Sequence, residues 1–415
     1  MKFMGPSTVT QILAVSLLLA QTLHAQQAAS SAPQSLKSSM GELRVERLAT
    51  LEYPWGMAWL PDGRLLITEK PGRLRIWENG QMSGPVEGVP KAVYRGPRDQ
   101  GGMLDVAVDP NLAEIGLIYL SFVEAADQQP ESIASTDDFR LGGVDLTDNV
   151  LRGGAVARAK LEANRLTDSK VIWRQFPKTV GRGHFGNRIV FAQDGKMFIT
   201  SADRMRFEPA QSLGSNLGKV VRINSDGSVP QDNPFVGREG ARGDIWSYGH
   251  RNMLSAAIDP ANGNLWVVEM GPSGGDELNI VQKGTNYGWP LVSDGSHYTR
   301  QGVSTAFTMV PGHGSTKEFK GPVRTFTPVI SPSGAIFYTG ELFKDWRGSM
   351  LVGGLSSMAL IRLALDGEQV AIEERINTQR RIRDVIEAKD GAILVIVDAK
   401  EGELLKLTPA KASGN

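Results

Sequence analysis

The sequence predicts an all-β chain folded as a six-bladed β-propeller with four-stranded blades. Glycine and proline are frequent, with 47 and 22 copies among 415 residues, and patterns with a helical period are scarce. A short unit recurs six times: an apolar alternating run, a turn, and a second run rich in β-forming residues. The turn carries Asp-Gly, Asn-Gly or Ser-Gly in five of the six units. Repetition at a spacing of this size is typical of propellers and solenoids.

The six units can be read directly from the chain. In order they are MAWLPDGRLLITE, DVAVDPNLAEIGLIYLSF, IVFAQDGKMFITSA, AAIDPANGNLWVVEM, VISPSGAIFYTG and DVIEAKDGAILVIVD. Their turn pairs supply the positive φ angles that tight hairpins need. The units lie roughly 50–80 residues apart, about the size of one blade. A pair of β-sandwiches is the alternative, but it would not repeat the same turn six times.

The N-terminal residues predict export to the periplasm. Residues 1–25 combine one lysine, the apolar run ILAVSLLLA and small residues before a cleavage point near Ala25, as in a secretory signal peptide. The alternative is a membrane anchor, but the run is short for a bilayer span. Residues 26–42, rich in Ala, Ser and Gln, predict a disordered leader. The propeller is expected over 43–410, with an inserted polar loop at about 124–153.

Composition excludes several function classes. Lys+Arg and Asp+Glu both number 45, and a chain without net charge lacks the basic excess of a nucleic-acid binder. The chain has no cysteine, which excludes disulfides, thiolate nucleophiles and cysteine-held metals. A soluble protein with no membrane span is expected, either a monomer or a homodimer.

Several polar residues stand in loops next to the repeat strands, where a propeller carries its sites. His184 in GRGHFGNRIVF is a candidate general base, because neutral imidazole accepts protons near neutral pH. Arg251 and Asn252 in YGHRNM are suited to a carbonyl or carboxylate ligand. Structural roles are the alternative for all three residues.

A second pair of arginines and a glutamine have similar positions. Arg381 and Arg383 are two residues apart and point the same way on a strand, so they can share one polyanion. A solvated basic edge is the alternative. Gln100 precedes a glycine pair at another junction between a loop and a strand.

The stretch GPSGGDELNIVQKGTNYGWP predicts a calcium site. A Gly271-Pro272 bend turns carbonyl oxygens outward, and Ca²⁺ prefers hard oxygen ligands. Asp276 and Glu277 add carboxylates, and Tyr287 adds an oxygen. An acidic surface turn is the alternative. No histidine pair stands at zinc spacing.

These stretches together resemble the soluble pyrroloquinoline quinone (PQQ)-dependent aldose sugar dehydrogenases, which are similar to soluble glucose dehydrogenases. The matching segments are WGMAWLPDGRLLITE, DQGGMLDVAVDP, HFGNRIVF, GHRN, GPSGGDELNIVQKGTNYGWP, SPSGAIFY and IRDVIEAKDGAILVIVD. They occur in family order and span nearly the whole mature chain.

The resemblance implies a role for each candidate residue. His184 is the base for the sugar C1 hydroxyl, and Arg251 polarises the quinone carbonyl with Asn252 beside it. The carbonyls of Gly271 and Pro272 hold a Ca²⁺ ion at the cofactor. The remaining expected cofactor contacts are Gln100, Tyr298, Ser331, Ser356, Arg381 and Arg383, and the expected ligands of a second calcium are Glu277, Tyr287 and, more weakly, Asp276.

Two departures from the glucose-oxidising relatives are visible. Gly183 stands where those relatives have an Asp before the histidine, and Ser356 with Ser357 stands where they have a cofactor-binding Lys. Losing an ammonium beside a tri-anion is expected to weaken PQQ binding.

The resemblance therefore implies a PQQ- and Ca²⁺-dependent oxidoreductase. It would oxidise aldose sugars to lactones and pass electrons to an external acceptor, a quinone or dye. The alternative is a calcium-dependent lactonase or a carbohydrate-binding propeller without redox chemistry.

Overall fold

The computed structural model describes residues 34–110, 116–130, 150–295 and 310–410. Within these ranges the structure consists of 25 β-strands in six sheets. The first strands of neighbouring sheets contact one another in cyclic order and close back on the first, which makes the ring of a six-bladed propeller. This confirms the predicted fold class. The predicted signal peptide and Tyr298 lie outside the described residues.

Each of the first five blades is a four-stranded antiparallel sheet whose strands pair in chain order. Blade 1 comprises β3 Pro54–Trp59, β4 Leu65–Glu69, β5 Arg73–Glu78 and β6 Gln81–Met82. Blade 2 comprises β7 Met103–Val108, β8 Leu117–Ala125, β9 Arg152–Glu162 and β10 Arg165–Arg174. Blade 3 comprises β11 Gly186–Phe191, β12 Met197–Ser201, β13 Lys219–Ile223 and β14 Ile245–Tyr248.

The remaining blades complete the ring. Blade 4 comprises β15 Met253–Ile258, β16 Leu265–Glu269, β17 Asp276–Val281 and β18 Arg324–Phe326. Blade 5 comprises β19 Pro332–Phe337, β20 Met350–Gly354, β21 Ala359–Asp366 and β22 Gln369–Asn377. Blade 6 comprises β23 Ile382–Glu387, β24 Ile393–Val397, β25 Gly402–Pro409 and two strands from the N-terminal side, β2 Gly41–Leu51 and β1 Gln34–Ser38.

Blade 6 therefore joins both ends of the described chain in one sheet. Strand β2 pairs antiparallel with β25, and β1 adds a fifth strand at the outer edge. The prediction of a disordered leader over 26–42 is wrong for its last part. Leu36 is 8% exposed in the core between blades 5 and 6, and this apolar anchor holds β1 despite its polar composition.

The core lies between the blades, because each strand has two faces and each face meets a different neighbour. In β4, Leu65 and Ile67 pack toward blade 6, whereas Leu66 between them packs toward blade 2. Side chains alternate across a strand, so a strand covered on both sides is apolar at every position. This explains why the second strand is fully buried in five of the six blades and buried along its middle in blade 2.

Two predicted details need correction. Five of the six repeat units are the hairpin between the first and second strand, but in the fifth the Ser333-Gly334 pair lies inside β19. A Cβ added to Gly334 would lie 1.6 Å from Asp384 Oδ1, so this glycine permits a close approach between blades and makes no turn. The inserted loop of blade 2 is narrower than 124–153, because β8 runs through Ala125 and β9 starts at Arg152.

The helical structure of the described residues is limited to short 3-10 turns. They span three residues each: Glu208–Ala210, His313–Ser315 and Lys344–Trp346. In the part of the chain that the structure covers, no helix has the length and apolar character to cross a membrane.

The hairpin geometry places many loops on one face of the ring. The first strand of each blade begins, and the antiparallel second strand ends, at the same end of the propeller. We call this end the site face. It comprises the residues just before each first strand and just after each second strand.

A buried cation ties the blades together near the axis. Arg188 in blade 3 contacts Asp105 of blade 2 and Asp384 of blade 6, both at 3.1 Å. Its guanidinium also lies 4.1 Å from the ring centroid of Trp55 and donates to the carbonyl of Arg383 at 3.1 Å. The main chain around Arg383 is therefore held by the centre of the ring.

Candidate functional site

The predicted polar residues converge on the site face. Gln100, His184, Arg251 with Asn252, Ser331 and Arg381 precede the first strands of blades 2 to 6 in that order, and Gly271 and Ser356 follow second strands. Five blades therefore deliver the expected residues to one surface.

His184 is buried and held in an uncommon conformation. Its φ of 52° lies in the left-handed region, which is rare for residues other than glycine and often marks functional sites. Its main-chain N–H donates to Gln100 Oε1 at 2.9 Å. Its Nδ1 lies 2.7 Å from Asp203 Oδ1, and no hydrogen bond to a described residue is made by Nε2. The side chain thus has one nitrogen anchored and one available.

Asp203 is the partner that sequence reasoning missed. It is fully buried and accepts hydrogen bonds from Met205 N–H at 2.8 Å and from Trp289 Nε1–H at 2.8 Å. A carboxylate surrounded by donors accepts from Nδ1–H of His184, which leaves the lone pair on Nε2. The available signal was position, because Asp203 follows β12 on the site face just as His184 precedes β11.

The electrostatic environment keeps His184 neutral. Burial lowers the pKa of His184, and the positive charges of Arg251 and Arg204 lower it further, while Asp203 acts in the opposite direction. An imidazole with a lowered pKa and a fixed tautomer is a competent proton acceptor at neutral pH.

Gly183, immediately before His184, has a steric reason to be glycine. A Cβ at this position would lie 2.7 Å from Met205 Sδ. An aspartate here would require Met205 to move.

Arg251 and Asn252 lie beside the histidine in blade 4. Arg251 Nη1 donates to the carbonyls of Met270 at 2.8 Å and Gly271 at 3.1 Å, and its guanidinium lies 5.3 Å from the Trp289 ring centroid. Arg251 Nε and Asn252 Oδ1 are buried without a hydrogen-bond partner among the described residues. Buried polar atoms are usually paired, so both atoms are available to a polar group of a bound ligand.

Arg381 and Arg383 share one carboxylate. Arg381 Nη2 lies 3.1 Å and Arg383 Nη2 2.8 Å from Asp398 Oδ2, which confirms that the two side chains point the same way. Burial opposes ionisation of Asp398, but Arg383, Lys70 and Arg381 lower its pKa to about 2. Arg383 Nε is also buried without a partner within the described ranges. Asp398 was not found from the sequence, although it follows β24 on the site face.

The two serines of blade 5 contact each other. Ser331 Oγ and Ser356 Oγ are 2.6 Å apart, and Ser356 is exposed. Arg381 Nη1 reaches the carbonyl of Leu355, next to Ser356, at 3.4 Å. Ser356 therefore borders the arginine pair and offers it a neutral hydroxyl.

The Gly271-Pro272 turn is rich in close carbonyl oxygens. A Cβ on Gly271 would lie 2.2 Å from the carbonyl oxygens of Gly274 and Gly275, and one on Gly295 would lie 2.7 Å from that of Pro272. Carbonyl oxygens of this kind are among the hard ligands that Ca²⁺ takes. The Gly271 carbonyl oxygen accepts a hydrogen bond from Arg251. A Ca²⁺ ion bound to this oxygen would therefore share it with the Arg251 guanidinium.

Asp276 accepts three hydrogen bonds from the main chain. Its Oδ1 accepts from Gly271 N–H at 2.9 Å, and its Oδ2 accepts from Ile330 and Ser331 N–H at 2.8 and 2.7 Å. Both oxygens are engaged by the main chain. Asp276 thus fixes the Gly-Pro turn to the loop of blade 5.

Glu277 and Tyr287 border a small internal space of about 10 Å³, enough for one water or ion. Glu277 Oε1 lies 3.0 Å from His313 Nε2. Tyr287 donates its hydroxyl proton to the Ile280 carbonyl at 2.5 Å and stacks on His250, with ring centroids 4.5 Å apart. The Tyr287 hydroxyl is thus occupied, which leaves its carbonyl as the available ligand.

His313 holds Glu277 in the structure. Burial raises the pKa of Glu277, and the hydrogen bond from His313 opposes that rise. Among the described residues, no group of three or more His, Asp or Glu side chains is arranged to hold a metal ion. A metal in this space would therefore depend on Glu277 together with carbonyl oxygens.

Comparison with known proteins identifies the family. A family model described as Glucose / Sorbosone dehydrogenase matches residues 51–406. The aldose sugar dehydrogenase YliI of Escherichia coli is 37% identical, with 86% of this chain and 91% of that protein covered. Quinoprotein glucose dehydrogenase B of Acinetobacter calcoaceticus is 26% identical, with 84% of each chain covered.

A solved structure agrees with these sequence matches. The crystal structure of the soluble aldose sugar dehydrogenase from Escherichia coli in the apo-form superposes with a TM-score of 0.78 at 35% identity. The match covers 89% of this chain and 100% of that one. The extent of the family match, which runs through all six blades, shows that this chain belongs to the glucose/sorbosone dehydrogenase family.

Proposed function

We propose that the protein is a PQQ- and Ca²⁺-dependent dehydrogenase that oxidises aldose sugars at C1 to lactones. The observation that carries the proposal is the buried His184–Asp203 pair beside Arg251, on the same face as the arginine pair Arg381 and Arg383. A quinoprotein among the relatives supports PQQ as the cofactor.

The chain's residues fit such a cofactor. A tri-anionic quinone needs cations, and the Arg381–Arg383 pair with an unpartnered Arg383 Nε supplies them. Arg251 Nε and Asn252 Oδ1 remain for polar groups of the cofactor, and the carbonyls of Gly271 and Pro272 suit a Ca²⁺ ion beside it. When bound, PQQ supplies the acceptor for a hydride from sugar C1.

The proton is handled by the protein. His184 Nε2 takes the proton of the C1 hydroxyl, and Asp203 holds Nδ1–H and stabilises the imidazolium that forms. Trp289 links this pair to Arg251, because its indole N–H binds Asp203 and its ring faces the guanidinium. Loss of the C1 hydride and the hydroxyl proton gives the lactone.

We extend the proposal to location and electron acceptor. The N-terminal pattern of residues 1–25 supports export to the periplasm with cleavage near Ala25. There an external quinone, or a dye in the assay, would reoxidise the cofactor.

The test starts from purified protein loaded with PQQ and CaCl₂. Addition of an aldose should change the cofactor's absorption spectrum, reduce an added dye and yield a lactone. Protein that binds PQQ but never reduces dye with any aldose would contradict the dehydrogenase. Hydrolysis of added lactones by PQQ-free protein with Ca²⁺ would favour the lactonase alternative.

A further inference from the structure

Lys70 is a buried lysine that directly follows β4 on the site face of blade 1. Its side chain is 4% exposed. Its main-chain N–H donates to the Tyr53 carbonyl at 2.9 Å, and its carbonyl accepts from Met103 N–H of blade 2 at 3.1 Å. A Cβ on Gly102 would lie 2.1 Å from the Lys70 carbonyl oxygen. The backbone of Lys70 is thus fixed on both sides.

The ammonium group of Lys70 has no oxygen partner. Nζ lies 5.5 Å from the Tyr53 ring centroid and 5.4 Å from that of Tyr94, and no described residue accepts a hydrogen bond from it. Aromatic faces attract a cation only weakly compared with the cost of removing it from water. Burial, followed by the charge of Arg383, accordingly lowers the pKa of Lys70 to about 8.

The surroundings of Lys70 contain more positive than negative charge. Lys70 interacts electrostatically with Arg383, Asp398, Asp99 and Arg381. Asp398 is already held by both arginines. Asp99 is paired with Arg152 at 2.7 Å. Both carboxylates near Lys70 therefore already have cationic partners, which leaves a surplus of positive charge that attracts an anion.

We infer that Lys70 binds a carboxylate of the bound cofactor and supplies the positive charge that Ser356 does not. Lys70 in blade 1 and Ser356 in blade 5 lie on opposite sides of the arginine pair of blade 6. The lysine that completes the anion-binding cluster therefore lies in blade 1, two blades away from the position of Ser356 in blade 5. This inference rests on the proposed function, because PQQ is the anion concerned.

Direct binding of PQQ tests the inference without reference to turnover. Calorimetric titration of calcium-saturated protein should show Lys70→Met binding PQQ about tenfold to a hundredfold more weakly than wild type, because a charge-assisted bond is lost. Lys70→Arg should bind within a few-fold of wild type. Lys196→Met is the matched control, since Lys196 precedes β12 at the opposite end of the ring and pairs with Asp194.

Proton uptake gives a second readout that a structural role would not produce. At pH 8, about half of the Lys70 side chains are neutral in the free protein, and a bound carboxylate raises their pKa. Titrations in buffers of different ionisation enthalpy should show uptake of about half a proton by wild type and none by Lys70→Met or Lys70→Arg. Of the groups facing Lys70, Tyr94 and Asp398 do not titrate near pH 8, because burial raises the pKa of Tyr94 to about 12 and the cations lower that of Asp398 to about 2.

The outcomes separate this inference from the proposed function. If wild type and Lys70→Met bind PQQ with equal affinity and equal proton uptake, Lys70 is not a ligand and the dehydrogenase proposal stands. If Lys70→Met does not fold, unchanged proton uptake by Lys70→Arg overturns the inference by itself. If wild type binds no PQQ at saturating Ca²⁺, both proposals fall.

Discussion

Replacing Asp203 by Asn removes one charge and keeps the shape of the side chain. In wild type, Asp203 accepts from His184, Met205 and Trp289 at 2.7–2.8 Å. An amide oxygen can serve either the two donors on Oδ1, His184 and Met205, or Trp289 on Oδ2, so an asparagine opposes at least one of these donors in either orientation. With its NH₂ group toward Nδ1, it favours the tautomer with the proton on Nε2. His184 then presents N–H where a lone pair is needed.

The expected loss is large and confined to the chemical step. A positioned general base contributes about 10²–10⁴-fold, or about 3–5.5 kcal/mol of transition-state stabilisation. Losing the Asp203 charge also lowers the pKa of His184 further, because that charge opposes the effects of burial and Arg251. We expect kcat to fall by about 10²–10⁴-fold, while the Kd for PQQ stays within a few-fold.

The assay is dye reduction under saturating PQQ, Ca²⁺ and aldose across pH 5–9, with PQQ affinity measured separately. Asp244→Asn is the matched control. Asp244 is also buried and accepts from an indole, Trp173 Nε1–H at 3.0 Å, but it lies at the start of β14. Wild-type kcat in Asp203→Asn, or an equal loss in Asp244→Asn, would refute the role assigned to the pair.

Three further predictions concern calcium, cofactor and pH. Chelation by EDTA should lower the melting temperature, and Glu277→Gln should reproduce that loss in the presence of Ca²⁺; an unchanged melting temperature in both cases would remove the calcium site at Glu277. Ser356→Lys should tighten PQQ binding by about 1–3 kcal/mol, and Arg381→Ala should weaken it, as measured by titration; no change in either variant would mean that the carboxylates bind elsewhere. Asp398 has a pKa lowered from 3.8 to about 2, so its stabilisation of about 2 kcal/mol is present above pH 3.8 and is lost as pH falls toward 2; acid unfolding of Asp398→Asn should lack this component.

The architecture was predictable because its signal repeats. Two β-rich runs recur in each blade, and a glycine turn pair joins them in four of the six; the misread pair Ser333-Gly334 in blade 5 does not change the number of blades. The leader was harder to predict, because one buried leucine, Leu36, decides whether a polar segment pairs with β2. The amino-acid composition of a segment does not show whether one of its residues makes such a contact.

The site residues that precede the first strand of a blade were predictable from the sequence, whereas those that follow the second strand were not. His184, Arg251 and Arg381 stand before first strands, where the quoted motifs lie. Their partners Asp203 and Asp398 follow the second strands and lie at the C-terminal end of the apolar runs, outside the motifs used for the prediction. Only the pairing of the two strands brings the residues of each pair together.

The partner of Asp276 was not predictable for a similar reason. Its three hydrogen bonds include the N–H groups of Ile330 and Ser331, which belong to the next blade. An acidic residue beside a Gly-Pro bend suggests a metal ligand, whereas the contacts that satisfy its carboxylate come from distant chain positions.

The ring of blades closes only when strand β2 pairs with β25 in blade 6. About 350 residues separate these strands, so a nascent chain carries five blades before the sixth can be assembled. Contacts of such long sequence separation form late and slowly. Arg381 and Arg383 belong to this last blade, and Lys70 faces them across its junction with the first. A chain whose sixth blade has not yet formed would therefore contain His184 but lack the cations that bind an anionic quinone. The protein can bind the cofactor only after the ring has closed.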